Sequence, residues 1–277
     1  MSVPVLAARG VCFSYEEGRP VLDGADLDLC VGHRLAVLGP NGGGKTTLFR
    51  LLVGALAPAD GQVLLDGEPI RRNRQGLTAL RTQVQLVLQD PDDQLFAASV
   101  YQDVSFGPVN LGLPSNEVAA RVEAALKALC IADLADRPTH LLSFGQKKRT
   151  AIAGAIAMRP RLLVLDEPTA GLDPAGVEEL LLTLGDLHAA GTTLVLSTHD
   201  VDLAYRWADD VAVVARGKVH VASAEEALSD AALLESARLG PAWAPAVARL
   251  LAQAGQDARP RTAAELYAFL ARTALPV

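Results

Sequence analysis

Cysteine is scarce in this chain. The three that occur, Cys12, Cys30 and Cys130, are odd in number and show no C-x-x-C spacing. A disulfide framework and the usual zinc patterns are thereby excluded. The expected reading is small buried hydrophobes in a reducing compartment. Basic charge is short as well: 25 Lys and Arg stand against 32 Asp and Glu, a net charge of −7. No basic stripe of the kind that binds nucleic acid stands out, and Arg71, Arg72 and Arg74 read as a solvated loop. Nowhere do apolar residues run for the ~18 positions that a membrane-spanning helix needs. The opening residues lack the apolar core and cleavage pattern of a signal peptide. The expectation is a chain soluble by itself that reaches a membrane only through a partner. Histidine is scattered singly at His33, His140, His188, His199 and His220. That scatter leaves no metal-binding cluster, so a transported substrate would be recognised elsewhere.

What the chain does have is apolar patterning. Half of its 277 residues are hydrophobic, enough for a sizeable core without staples. Val3–Tyr15 and Val21–Leu29 alternate like antiparallel strands around the turn residues Glu17, Gly18, Arg19 and Pro20. Arg34–Leu38 is a short apolar run closed by Gly39, as in a buried parallel strand. A helix is expected over Thr46–Leu56, with strands at Gly61–Asp66 and Val84–Leu88. From Tyr101 to about Leu142 the pattern turns helical, with Val118, Val122, Leu126 and Leu129 at three- to four-residue spacing. Strands Leu162–Leu165 and Thr193–Leu196 then flank a helix through Val177–His188, a βαβ alternation that predicts a parallel sheet. Past Ser223 the pairs Ser223/Glu226 and Thr262/Glu265 match capping boxes, with Pro241 and Pro245 breaking the tail between them. Residues 1–223 therefore read as one α/β domain with a helical part at about 90–160, and 224–277 as a small helical appendage.

The run Gly39, Pro40, Asn41, Gly42, Gly43, Gly44, Lys45, Thr46 fits G-x-x-x-x-G-K-[ST] between a predicted strand and a predicted helix that continues through Thr47. Glycines let backbone N–H groups turn inward around an anion, and the helix N-terminus adds partial positive charge. Lys45 would supply a full charge to the β- and γ-phosphates, and the Thr46 hydroxyl a Mg²⁺ ligand. Asp166 and Glu167 end a wholly apolar strand. Beside a phosphate loop, the first carboxylate is placed to hold Mg²⁺ and the second to take a proton from attacking water.

Leu142, Ser143, Phe144, Gly145 and Gln146 precede a predicted helix, Lys147–Met158, and resemble the LSGGQ signature of ABC ATPases. Other elements of that family follow in order. Tyr15 matches the aromatic that stacks on adenine, Gln89 the Q-loop glutamine, Gly171, Leu172 and Asp173 the D-loop, and His199 the switch histidine. Singly, Tyr15, Gln89 and His199 each have an ordinary structural explanation; the ordered set, over about residues 3–220, carries the resemblance. One departure is Phe144, where the family has a second glycine; the backbone N–H survives, while the close approach that glycine allows is put in question. Gln89 through Phe96, then Val104 through Pro108, and the run Leu142 through Arg149 further resemble ATPases of energy-coupling-factor importers, most of all the cobalt/nickel importer ATPase. Vitamin importers of that group share most of these residues.

The resemblance implies the ABC ATPase version of the P-loop NTPase fold. That fold has a mixed, mainly parallel sheet, an antiparallel β subdomain and an α-helical signature subdomain. It further implies ATP and Mg²⁺ as cofactors and a head-to-tail homodimer. ATP would then lie between the phosphate loop of one subunit and Ser143, Gly145 and Gln146 of the other, with Asp173 nearby. Glu167, His199 and Gln89 would be catalytic, and Thr46, Gln89 and Asp166 would serve Mg²⁺. Integral membrane subunits would be partners, at the cytoplasmic face of the membrane, met by a groove including Asp92, Asp93 and Gln94. The two acids alone would read as a solvated turn after Pro91. Two other classes stay open: a soluble ABC protein acting on nucleic acid or translation, and a P-loop kinase or GTPase. The latter needs neither the signature nor a second copy.

Overall fold

The computed structural model describes residues 4–273. The chain opens with a hairpin, β1 (Leu6–Glu16) and β2 (Arg19–Leu29), turned at Gly18. The turn is tighter than expected, because Pro20 sits in β2; β2 is an edge strand, where a missing N–H costs no ladder bond. Next come β3 (Arg34–Leu38), α1 (Lys45–Leu52), β4 (Asp60–Leu65), β5 (Glu68–Pro69), α2 (Arg74–Gln83) and β6 (Val84–Val87). Helix α1 stops four residues before the expected Leu56. Gly54 takes φ +71°, and the Ala55 and Leu56 N–H groups fold back to the Arg50 carbonyl. This left-handed glycine closes the helix at its C-terminus.

The helical part is α3 (Val100–Asn110), α4 (Ser115–Ala128) and α5 (Phe144–Ala157), all packed on one another. The helical pattern expected from Tyr101 to about Leu142 is carried there by two separate helices, α3 and α4. Gly112 at φ +72° and Pro114 separate α3 from α4, and the chain beyond α4 holds only single 3-10 turns, Ala132–Leu134 and Thr139–Leu141. Then follow β7 (Leu162–Leu165), α6 (Pro174–Ala189), β8 (Thr193–Ser197), α7 (Val201–Trp207), β9 (Asp210–Ala215) and β10 (Lys218–Ser223). The tail is helical: α8 (Ala224–Ser229), α9 (Ala231–Ser236), α10 (Trp243–Gln253) and α11 (Ala263–Thr273). Ser223 and Glu226 form the expected capping box. At the second one, Thr262 accepts from the Glu265 N–H, but the Glu265 carboxylate accepts from Arg261 rather than from Thr262. Pro245 does not break the tail; it lies in the first turn of α10, where its missing N–H is harmless.

Two sheets result. One is antiparallel, in the order β2-β1-β4-β5; the other is six-stranded, in the order β10-β9-β3-β8-β7-β6, parallel except for its β9–β10 edge. The inner strands are apolar on both faces because each face has its own core. In β3, Leu35 and Val37 join the core shared with α1 and the antiparallel sheet, while Ala36 and Leu38 join the one beneath the helical part. In β7, Leu162 and Val164 split from Leu163 and Leu165 in the same way. Each fully buried leucine contributes about 1.5–3 kcal/mol, so register is strongly specified here. None of the cysteines is buried as expected: Cys12 and Cys30 are half-buried, and Cys130 is exposed in a left-handed turn after α4. Among the described residues, no helix is long and apolar enough to cross a membrane.

Candidate nucleotide-binding site

The C-terminal ends of β3 and β7 lie on either side of β8 and deliver the two halves of the site. After β3 the loop Gly39–Gly44 turns into α1. Gly44 is its N-cap, at φ +106°. A Cβ on Gly39 would sit 2.6 Å from the Val214 carbonyl, so only glycine lets the loop lie this close to β9. Lys45 is buried. Its Nζ donates to the Gly39 carbonyl at 2.9 Å and to that of Pro40 at 3.4 Å, and lies 3.5 Å from Glu167 Oε1. The ammonium therefore rests inside its own loop, one reach from the place an anion would occupy. Pro40, Asn41, Gly42 and Gly43 complete the loop's rim.

Asp166 and Glu167 follow β7 and are both buried. Thr46 Oγ1 donates to Asp166 Oδ2 at 2.6 Å, and Ser197 Oγ donates to Asp166 Oδ1 at 2.5 Å. The same Ser197 hydroxyl accepts from the Glu167 N–H at 2.8 Å. His199 Nδ1 stands 3.1 Å from Glu167 Oε2. Glu167 itself has φ +44°, a left-handed backbone that a non-glycine residue adopts at a cost. Gln89, two residues past β6, lines a cleft with Thr46, Arg50 and Asp166. The donor set there, a hydroxyl, a carboxylate and an amide oxygen, is hard and oxygen-only, which suits Mg²⁺ rather than a softer metal.

Tyr15 is exposed near the end of β1. Its hydroxyl is 3.2 Å from Thr47 Oγ1, and its ring packs edge-on against Phe13 at 4.9 Å. It thus stands beside the start of α1 with a face open to solvent, as a stacking platform requires. The structure joins Lys45, Glu167 and His199 by direct contacts, sets Gln89 in a cleft with Thr46 and Asp166, and places Tyr15 against Thr47 on α1.

Ser143 lies at the start of α5, whose first residue, Phe144, lines the cleft with Thr46, Gln89 and Asp166. It is the N-cap, accepting from the Gln146 N–H at 3.4 Å while the Gln146 side chain accepts from the Ser143 N–H at 3.0 Å. Phe144 and Gly145 form the first turn, so the helix starts three residues earlier than expected. Phe144 lies on Gly171, where a Cβ would come within 2.5 Å of the ring. Gly145 faces Leu172, and Asp173 caps α6 by accepting from the Gly176 N–H at 2.7 Å. Asp92 and Asp93 are exposed on the turn after Gln89, and Asp92 pairs with Lys147 at 2.6 Å. Gln94 is turned inward: its Oε1 accepts from the Leu88 N–H and its Nε2 donates to the Ala151 carbonyl.

Sequence reading missed two members of the site. Ser197 is an ordinary strand residue by pattern. Lys148, in a run of three basic residues, is fully buried and donates to the Glu167 and Ala170 carbonyls. Its one sequence signal is helical phase, since it leads the buried face that continues through Ile152 and Ala155.

Comparison with known proteins agrees with this geometry. Residues 22–170 match the family model described as ABC transporter. The cobalt import ATP-binding protein CbiO of Rhodobacter capsulatus is 56% identical over 86% of this chain and 85% of its own length. The energy-coupling factor transporter ATP-binding protein EcfA of Methanocaldococcus jannaschii is 46% identical over 85% of each. The solved structure of cbiO1 from Clostridium perfringens, part of the ABC transporter complex cbiONQ, is 42% identical and covers 91% of this chain and all of its own, with a TM-score of 0.75. The chain belongs to the ABC transporter family, as one of its ATP-binding, ATP-hydrolysing subunits.

Proposed function

We propose that this chain energises a membrane importer for cobalt or nickel by closing onto a second copy around ATP. The observation that carries the substrate reading is its 56% identity to a protein named for cobalt import. A vitamin importer is the second reading, favoured by its 46% identity to a protein named only for the energy-coupling factor transporter. In either case the cargo is bound by membrane subunits, and the chain works at the cytoplasmic face. It uses no nucleic acid.

The chemistry follows from the residues. The Gly39–Gly44 amides and Lys45 hold the phosphates, and Tyr15 stacks on the base. Thr46, Asp166 and Gln89 would hold Mg²⁺, which when bound neutralises phosphate charge. Glu167 accepts a proton from the attacking water, and His199, in contact with its carboxylate, orients that water against the γ-phosphate. Ser143 and Gly145 present the N-terminus of α5 to a phosphate. A site completed by the partner copy follows from the resemblance of Leu142, Ser143, Phe144, Gly145 and Gln146 to the signature of the ABC family. Differential affinity of ATP for the closed and open dimer then supplies the work. Asp92 and Asp93 face the membrane partner, where carboxylates suit bidentate arginine.

The test of sharing is a crosslinked mixed dimer of Ser143→Arg and Lys45→Ala chains. Composite sites leave one intact site, so one ATP is occluded per dimer. Sites contained in single chains leave none, and that result overturns the reading. Transport of labelled cobalt or nickel by the chain assembled with its membrane subunits tests the substrate; uptake of a vitamin instead selects the second reading.

A further inference from the structure

Helix α5 buries a lysine. Lys148 has no exposed surface, and withdrawing an ammonium from water costs several kcal/mol unless partners compensate. Burial pulls its pKa down to about 8 against the opposing pull of Glu167, Asp90 and Asp166. It therefore remains mostly charged at neutral pH. A methionine would fill the same volume without that cost.

What the lysine adds is directed hydrogen bonding. Its Nζ donates to the carbonyls of Glu167 and Ala170, both at 2.9 Å, and lies 5.3 Å from the centre of the Phe144 ring. The Ala170 N–H closes the same turn onto the Glu167 carbonyl. Glu167 is left-handed, a backbone state that costs about 1–2 kcal/mol for a residue with a side chain. Its N–H is held by Ser197 from β8 and its carbonyl by Lys148 from α5. Both backbone polar groups of the strained residue are thus gripped by side chains of other elements. Packing of Phe144 on Gly171, and of Gly145 on Leu172, ties the same turn to the cap of α5.

We propose that Lys148 is a positioning residue for hydrolysis: by gripping the Glu167 and Ala170 carbonyls it holds the turn that aims the Glu167 carboxylate, and it makes that aim depend on the helix that begins at Ser143. The inference rests on Glu167 acting as the base, as proposed above. ATP held mainly by one subunit and touching Ser143 of the other would then bear on the second subunit's own Glu167 through a single side chain.

The test compares turnover, ATP affinity and melting midpoint for the purified full chain with Lys148→Met, Lys148→Gln and Glu167→Gln. Lys148→Met is expected to lower kcat ~10- to 100-fold, since a misplacement of about 1 Å costs up to ~10²-fold. ATP affinity should change by less than about 3-fold, because the phosphate loop is untouched. The melting midpoint should not fall in proportion, because exchanging a buried charge for an apolar group of like volume is often neutral or stabilising. Lys148→Gln, which retains an N–H₂ donor, should lie between Met and the natural residue. If Lys148→Met does not fold, Lys148→Gln carries the same criteria. Turnover within about 2-fold of the natural chain overturns the inference. So does a loss of turnover that merely follows losses of affinity and melting midpoint, since that is a packing role. A normal rate in Glu167→Gln sinks the base assignment and the inference with it; an inactive Glu167→Gln beside a normal Lys148→Met sinks the inference alone.

Discussion

Two pairs of neighbouring acids, Asp166–Glu167 and Asp92–Asp93, look alike in the sequence and live in opposite surroundings. The first pair ends a buried strand. Its side chains and backbone are held by Thr46, Ser197, Lys45, Lys148 and His199. The second pair sits on an exposed turn, and there the Asp92 carboxylate meets Lys147 on α5. A carboxylate in the low-dielectric interior interacts strongly with every fixed partner, whereas one at the surface is screened by water and salt. The same chemical group is therefore fixed among buried partners in one place and left to water in the other.

The contrast can be broken most decisively at Glu167. Glu167→Gln keeps shape and hydrogen bonding but removes basicity, so ATPase turnover should fall ~10²–10⁴-fold. ATP should still bind, and the dimer should persist on a sizing column. Near-normal turnover would put Glu167 on a level with the surface acids.

A smaller effect is expected one layer out. Ser197→Ala leaves Asp166 Oδ1 and the Glu167 N–H without their partner, in a place where an unsatisfied buried group costs about 1–3 kcal/mol. Denaturant unfolding should show that loss. A change near zero would mean that the pair is less dependent on its surroundings than its burial implies.

The smallest effect on the chain itself belongs to the surface pair. Asp92→Asn with Asp93→Asn should leave folding stability within about ±0.5 kcal/mol, as expected for exposed positions. Association with the membrane partner should weaken by ~2–5 kcal/mol if these acids meet desolvated arginine there. Normal assembly and transport by the double variant would return them to the status of a solvated turn.

The parts of the molecule legible in the sequence were those where one physical cause dominates. A glycine-rich run between an apolar strand and a helix has few other uses, so the Gly39–Lys45 loop could be read directly, as could β7 and its terminal acids. Capping chemistry at Ser223 was similarly local. Less legible were features decided by distant chain. Gly54 ends α1 through a left-handed turn, but nothing marks it off from the glycines of other loops. Gln94, grouped with its acidic neighbours as surface, is drawn inward by the Leu88 and Ala151 backbone. Lys148 and Ser197 acquire their roles from α5 and β8 converging on one turn, and only the assembled sheet order brings those elements together. Phe144, where the family has a glycine, rests its ring on Gly171, a contact that the local sequence does not announce.

The alternation in β7 has a further consequence, because the strand also serves as a ruler. Odd and even residues feed different cores, so the strand cannot creep by one position without exchanging both sets at once. One position is also ~3.3 Å along the strand, more than a whole hydrogen-bond tolerance at its far end. The apolar filling of the two faces thereby calibrates the reach of Asp166 to Thr46.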